Sequence, residues 1–165
     1  PDAPHSFDGM EFMAHSQHWD GQIMDLSEDY RAIRWMQDNV EGSPVILEAN
    51  CTEYRWCVRF TMYTGLPGVV GWNWHQRQQR GIFAPQVQER VNEVGAFYTT
   101  LDLQAALTFL KKYDVKYIVV GQLERNVYPA LPDTPDGLSK FTELEGAYWE
   151  VVYQDLNTTI YKVKP

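Results

Sequence analysis

A chain of 165 residues, 44% of them hydrophobic, is long enough for one compact core, since a length near 150 buries about 70% of the surface its unfolded form exposes. Fourteen Lys and Arg against 22 Asp and Glu leave a formal charge of −8, which disfavours a counterion-release grip on nucleic acid, or on an anionic membrane, for the chain as a whole; local basic patches remain open. The longest uncharged apolar run, YIVVG at 117–121, falls far short of the roughly 20 residues of a membrane-spanning helix, so the expectation is a soluble piece.

The chain starts PDAPHSFDGMEF, without an initiator Met, a basic n-region or an apolar h-region, and reads as part of a longer protein with no signal peptide of its own. Residues 1–26 carry scattered aromatic and acidic side chains without steady periodicity and are expected as an irregular arm; 27–165 are expected as a single domain. Ser27 would cap a helix with Glu28 and Asp29 in its first turn, where negative charge suits the dipole, with Ile33, Met36 and Val40 on one stripe and Gly42 ending it. PVILEAN at 44–50 is a short apolar run of the kind that forms a strand buried on both faces, and PGVVGW at 67–72 is a second. Residues 53–64 between them are a weaker helix candidate, because β-branched and aromatic residues are frequent there.

Val87, Val91, Val94 and Tyr98 recur at helical spacing, and Asp102 caps a following helix with Leu103, Ala106, Leu107 and Leu110 on one side. VKYIVVG at 115–121 is the third buried strand, and YPALPDTPDG at 128–137 is a surface loop. AYWEVVYQ and TTIYKVK, separated by DLN, form a hairpin. Helices alternating with buried strands predict an α/β layered domain with a mainly parallel central sheet flanked by helices and a C-terminal antiparallel hairpin.

Five residues separate Cys51 from Cys57. That is neither a zinc ligand set nor a Cys-x-x-Cys redox pair. Two buried free thiols is the plainer reading, and an oxidising compartment would instead allow a short-loop disulfide. His15 and His18, with Asp20 near, read as surface histidines rather than metal ligands, and His75 has no second His or Cys within a helical turn.

In open parallel sheets, ligand groups gather at the carboxyl ends of strands. That rule selects Glu48 after the first strand, Trp72 and His75 after the second, and Glu124 with Arg125 after the third. Glu48 and Glu124 are a conceivable acid and base, although a strand-end Glu more often pairs with an Arg, here Arg59 or Arg80. The run GWNWHQRQQRG at 71–81 reads as a strand-end turn leading into a helix on which His75 and Gln79, and Gln76 and Arg80, are each four apart. A nucleophile elbow, a Gly-x-Gly-x-x-Gly spacing and a P-loop Lys are all missing, and no cofactor is expected.

AIRWMQDNVEGSPVILEAN, RFTMYTGLPGVVGWNWHQRQQRG, FYTTLDLQAALTFLKKYDVKYIVVGQLERNVYP and KFTELEG together resemble the C-terminal soluble portion of the YYY-type membrane proteins of archaea and Chloroflexi, the DUF2298 group. The likeness runs from about residue 8 onward, with Thr-Gly-Leu-Pro before Gly-Trp and His75, and Val-Gly-x-Leu-Glu-Arg at 120–125, as its most specific parts. It implies a polytopic protein similar to GT-C class membrane glycosyltransferases. This domain would lie on the extracytoplasmic face of the membrane, with the transmembrane part of the parent as partner and a lipid-linked sugar or carbohydrate acceptor as ligand. The resemblance places Glu48, Arg59, Trp72, His75, Arg80, Glu124 and Arg125 on matching positions. The chain departs from it at Gln76, where an acidic residue usually follows the His, and at Gln79, where an aromatic is common. The resemblance also implies that the catalytic carboxylates of that class sit in loops among the membrane helices, which this sequence lacks.

Three functions follow as expectations. The first is a non-catalytic extracytoplasmic domain that helps bind acceptor or shapes an active-site entrance. The second is an interaction module using the 122–141 loop and exposed aromatics, and the third a self-contained glycoside hydrolase built on Glu48 and Glu124.

Overall fold

The computed structural model describes residues 7–52, 55–132 and 135–165. Residues 1–6 of the expected arm, 53–54 of the weak helix candidate and 133–134 of the proline-rich loop lie outside the described residues. In chain order the elements are β1 (Gln17–Trp19), β2 (Ile23–Asp25), α1 (Leu26–Asn39), β3 (Val45–Leu47), α2 (Arg59–Thr64), α3 (Asn73–Arg80), α4 (Ala84–Thr99), α5 (Leu103–Lys112), β4 (Val115–Val120), α6 (Gln122–Val127), α7 (Ser139–Glu143), β5 (Trp149–Asp155) and β6 (Thr158–Val163).

The main sheet has the order β3-β4-β6-β5. β3 and β4 run parallel, and β6 pairs antiparallel with both β4 and β5. The expected strand at 67–72 shrinks to a single parallel bridge between Gly68 and Ile46, with the Ile46 N–H donating to the Pro67 carbonyl at 2.9 Å. The α/β class with a terminal hairpin therefore holds. The parallel character is concentrated in one half of the sheet, because β6 returns to sit beside β4. The hairpin register pairs Asp155 with Thr158, so the loop is two residues, Leu156 and Asn157, with Leu156 at φ 46°. A tight turn of that hand matches the strand twist.

Alternation along the strands divides the core in two. Leu47, Ile118, Val120 and Tyr161 face one layer with Val94, Phe97, Tyr98 and Phe109 of α4 and α5. Ile46, Tyr117, Val119 and Ile160 face the other, against Ile33 and Met36 of α1 and Phe60 of α2. Three layers of helix, sheet and helix result, as period-2 strands buried on both faces require.

Three local expectations change. The first helix is capped by Asp25, whose carboxylate accepts from the Ser27 N–H at 2.9 Å, so Ser27 lies inside the first turn rather than at the boundary its chemistry suggested. Glu28 is buried: it accepts from the backbone N–H of Asn157 at 3.0 Å, from the Asn157 side chain at 3.0 Å and from Thr158 Oγ1 at 3.3 Å. A carboxylate that looked like a dipole complement thus anchors α1 to the hairpin turn. The described part of the arm is also ordered. It forms a 3₁₀ turn at Glu11–His15 and the β1–β2 ribbon, and it buries Met10 and Met13 against α1.

The cysteines are the third change. Cys51 and Cys57 form a disulfide, with Cα atoms 6.0 Å apart. The chain turns back at the end of β3 to bring Cys57 under Met24, Ala49 and Leu123. Asp102, by contrast, caps α5 as its spacing predicts, accepting from the N–H groups of Gln104 and Ala105 at 2.9 and 3.2 Å.

Closing a loop this short removes only a modest share of unfolded-chain entropy. Reducing the disulfide, or replacing both cysteines by Ser, is expected to lower the unfolding free energy by about 2 kcal/mol, measured as a shift of the denaturant midpoint with and without a thiol reductant.

Candidate functional site

The carboxyl ends of β3 and β4 converge on one side chain. Arg59, the first residue of α2, is completely buried. Its Nε donates to Asp29 Oδ2 at 2.8 Å, and Nη1 and Nη2 donate to Glu124 Oε1 and Oε2 at 3.1 and 3.0 Å. The Glu124 contact is the two-toothed fork that a guanidinium offers a carboxylate. Glu48 Oε2 lies 3.8 Å from Nη1. One cation from the middle of the chain therefore joins three acids contributed by α1, the end of β3 and α6.

Each acid also satisfies backbone or side-chain donors that would otherwise be orphaned. The N-cap of α2, Val58, supplies no side-chain acceptor. Glu48 does so from the neighbouring strand end, taking the Phe60 and Thr61 N–H groups at 2.9 and 2.7 Å. Glu124 reaches back to the Gly121 N–H at 2.9 Å and takes the Ala49 N–H at 2.8 Å, tying the two parallel strand ends together. The Trp56 indole donates to Asp29 at 2.7 Å. Gly121 leaves no space beside this cluster: a Cβ there would meet Thr158 Oγ1, Arg59 Nη2 and Glu124 Oε2 at 3.1 to 3.2 Å.

The charges do not balance, and the titration of the cluster reflects it. Burial pushes Glu48 up to about 7, opposed by Arg59 and the two backbone donors. Burial likewise raises Asp29, against the pull of Arg59. Glu124 is held below the usual range, because Arg59 and the Ala49 and Gly121 N–H groups outweigh its burial. Arg59 resists burial, the largest influence on it, through Asp29, Glu124 and Glu48, and stays charged.

A second group borders the cage. Asn50 Nδ2 donates to the Gly71 carbonyl at 2.9 Å; Asn73 Nδ2 donates to Asn50 Oδ1 at 3.1 Å and to the Cys51 carbonyl at 3.0 Å. The Tyr128 hydroxyl donates to the Asn50 carbonyl at 3.2 Å. These bonds dock the 71–75 turn on the loop after β3. Trp72 is half exposed there, with its ring 5.4 Å from that of His75.

Of the residues selected from sequence, Glu48, Arg59 and Glu124 thus meet directly, with Arg59, not Arg80, as the partner of Glu48. Trp72 precedes α3, and His75 and Gln76 stand on its first turn. Arg80 lies apart, sharing a shallow depression with Gln76, Phe83 and Arg90. Arg125 turns away to donate to the carbonyls of Val120 and Asn157. Asp29, Asn50, Asn73 and Tyr128 were not singled out. Asn50, closing the first strand, carried the one usable signal, a polar residue at a strand's carboxyl end.

The hydrolase expectation meets a chemical obstacle. All four carboxylate oxygens of Glu48 and Glu124 accept from protein donors, and both residues are buried. An acid–base pair needs reach to substrate. This pair caps backbone and neutralises Arg59 instead.

No family model and no curated protein matches the chain. Among solved structures, the chain is similar to the C-terminal globular domain of an oligosaccharyltransferase from Archaeoglobus fulgidus, with a TM-score of 0.54 and 15% identity, covering 82% of this chain and 96% of that one. Another oligosaccharyltransferase C-terminal globular domain from the same organism aligns at 16% identity with a TM-score of 0.49, over 85% of this chain and 98% of that one. At such identities the likeness concerns the fold.

Two measurements test the cage. Arg59→Met strands three buried acids and is expected to cost roughly 3–5 kcal/mol of stability, with Arg59→Lys also impaired because an ammonium cannot make the fork to Glu124. For pH, a carboxyl whose folded value is raised favours the folded state at low pH, and that contribution is lost as pH climbs from about 4.5 to about 7. Glu48→Gln should therefore flatten the fall in stability between pH 5 and 8, read as denaturant midpoints across that range, although its amide facing two N–H donors lowers stability throughout.

Proposed function

We propose that this chain is a non-catalytic extracytoplasmic domain of a polytopic glycosyltransferase-like membrane protein, where it helps bind the acceptor or shapes the entrance to an active site carried elsewhere in the parent. The observation that carries this reading is the mutual coverage of the fold match: nearly all of a domain that, by its description, is the C-terminal globular part of an oligosaccharyltransferase aligns with most of this chain. The buried acids support it, since the strand-end carboxylates that a self-contained hydrolase would need are engaged by Arg59 and by backbone N–H groups. The Cys51–Cys57 disulfide supports the compartment, because such bonds persist in oxidising surroundings.

In this reading the transmembrane part of the parent and a lipid-linked sugar or carbohydrate acceptor are the partners. The Trp72–His75 pair is the surface that faces the acceptor. An exposed indole provides a flat apolar face of the kind that packs against a sugar ring, and the adjacent imidazole provides a polar edge. Glu48, Arg59 and Glu124 hold the ground beneath it, and Gln76 keeps hydrogen-bonding capacity without charge.

The test is sugar transfer by the full-length parent carrying Trp72→Ala or His75→Ala. Acceptor KM should rise several-fold or more with kcat largely kept, while stability changes by less than about 0.5 kcal/mol because neither side chain is buried in the core. A collapse of kcat at unchanged KM would move the residues into the chemistry, and turnover of glycosides by the isolated chain would overturn the non-catalytic reading.

A further inference from the structure

The surface charge of this chain is unevenly placed. Residues 54–88 contain no Asp or Glu in a chain whose net charge is −8; of their arginines, Arg59 is buried in the cage and Arg55 is paired with Asp20, which leaves Arg77 and Arg80 on α3. The same segment carries a concentration of exposed large apolar side chains. Ile82 is 87% exposed, Phe83 49%, and Trp72 and Trp74 46% and 44%. Ile82 and Phe83 form the tip between α3 and α4, on a 3₁₀ turn at Gly81–Phe83.

The tip is held stiffly. Arg77 donates to Gln88 of α4 at 2.9 Å and to Asn73 at 3.2 Å, and its guanidinium lies 5.1 Å from the centre of the Trp74 ring. Behind the tip, Arg80 and Arg90 flank one depression with Phe83, Gln76 and Gln86. The nearest acids beyond it in sequence are Glu89 and Glu93. Glu93 is engaged by Lys112 at 2.7 Å and by the Tyr113 hydroxyl.

We infer that the α3–α4 tip is a docking surface for an anionic lipid layer, with Ile82 and Phe83 entering the acyl boundary and Arg80 and Arg90 meeting the phosphates. Exposed hydrocarbon side chains at the tip beside two guanidinium groups that share a depression with Phe83 suit the boundary between acyl chains and phosphates of a bilayer. The net charge of −8 does not forbid this, because at physiological salt charges more than about 8 Å away are largely screened and the local arginines dominate. The inference rests on surface chemistry alone and leaves the entrance reading intact if it fails.

Co-sedimentation of the chain with vesicles of mixed phosphatidylcholine and phosphatidylglycerol, and with phosphatidylcholine alone, decides it. Binding is expected to the mixed vesicles and to weaken with added salt. Ile82→Asp or Phe83→Asp should weaken it roughly tenfold or more, since each removes a side chain whose burial is worth at least that factor. Arg80→Gln with Arg90→Gln should weaken binding to the mixed vesicles and leave any binding to neutral ones unchanged. As an independent readout that does not depend on a loss, Ile82→Trp should show blue-shifted emission with mixed vesicles and quenching by brominated acyl chains. Absence of binding to mixed vesicles, binding unaltered by both Asp variants, or emission from the bound Ile82→Trp variant that brominated chains leave unquenched would each overturn the proposal.

Discussion

The structure depends on one desolvated guanidinium. Arg59 is fully buried, and no single acid of the chain meets all of its requirements, so Asp29, Glu48 and Glu124 are recruited from three elements. Removing one ion from water costs several kcal/mol. That cost is recovered only through the geometry of the fork to Glu124 and through the backbone groups the acids satisfy at the same time. The network therefore acts as the fastener between α1, β3, α2 and α6. A mere preference for opposite charges would have been met as well at the surface, as the Arg31–Asp155 pair shows.

From that fastener the rim is built outward. Glu124 takes the Ala49 N–H, which sets the path of the loop after β3; Asn50 and Asn73 carry the path on to the 71–75 turn, and Tyr128 closes it from the other side. The disulfide spans the same loop. Trp72 and His75 are consequently displayed on a scaffold with little freedom, although neither belongs to a long element. The sugar contact proposed for this pair would gain from that stiffness, because less conformational entropy is lost on binding.

Much of this was legible from residue patterns, and the exceptions have physical reasons. Buried strands announced themselves through VILE and YIVV, and Asp102 through its position one residue before an apolar stripe. The pairing of Glu48 with an arginine followed from chemistry, since a strand-end acid in an apolar setting needs a cation. The choice between Arg59 and Arg80 did not, because it depends on how the chain turns through Cys57 and Val58, where Val58 adopts φ 69°. Asp29 and Glu28 looked like solvent-facing helix-start residues; their burial is created by Trp56 and Arg59 on one side and the 157–158 turn on the other, far beyond any local window. The second strand candidate lost most of its length for a similar reason, with Pro67 accepting a single bond at the sheet margin.

Strand order has a consequence for how such a domain comes into being. β6 follows every other element in sequence and yet lies inside the sheet, between β4 and β5. Until residues 158–163 have been synthesised and threaded into place, β4 presents an unpaired border of Val, Ile and Tyr, the kind of open edge that recruits stray strands. During biogenesis the domain is therefore exposed to mispairing late rather than early, and a chaperone that shields it would need to cover the β4 margin until the hairpin arrives.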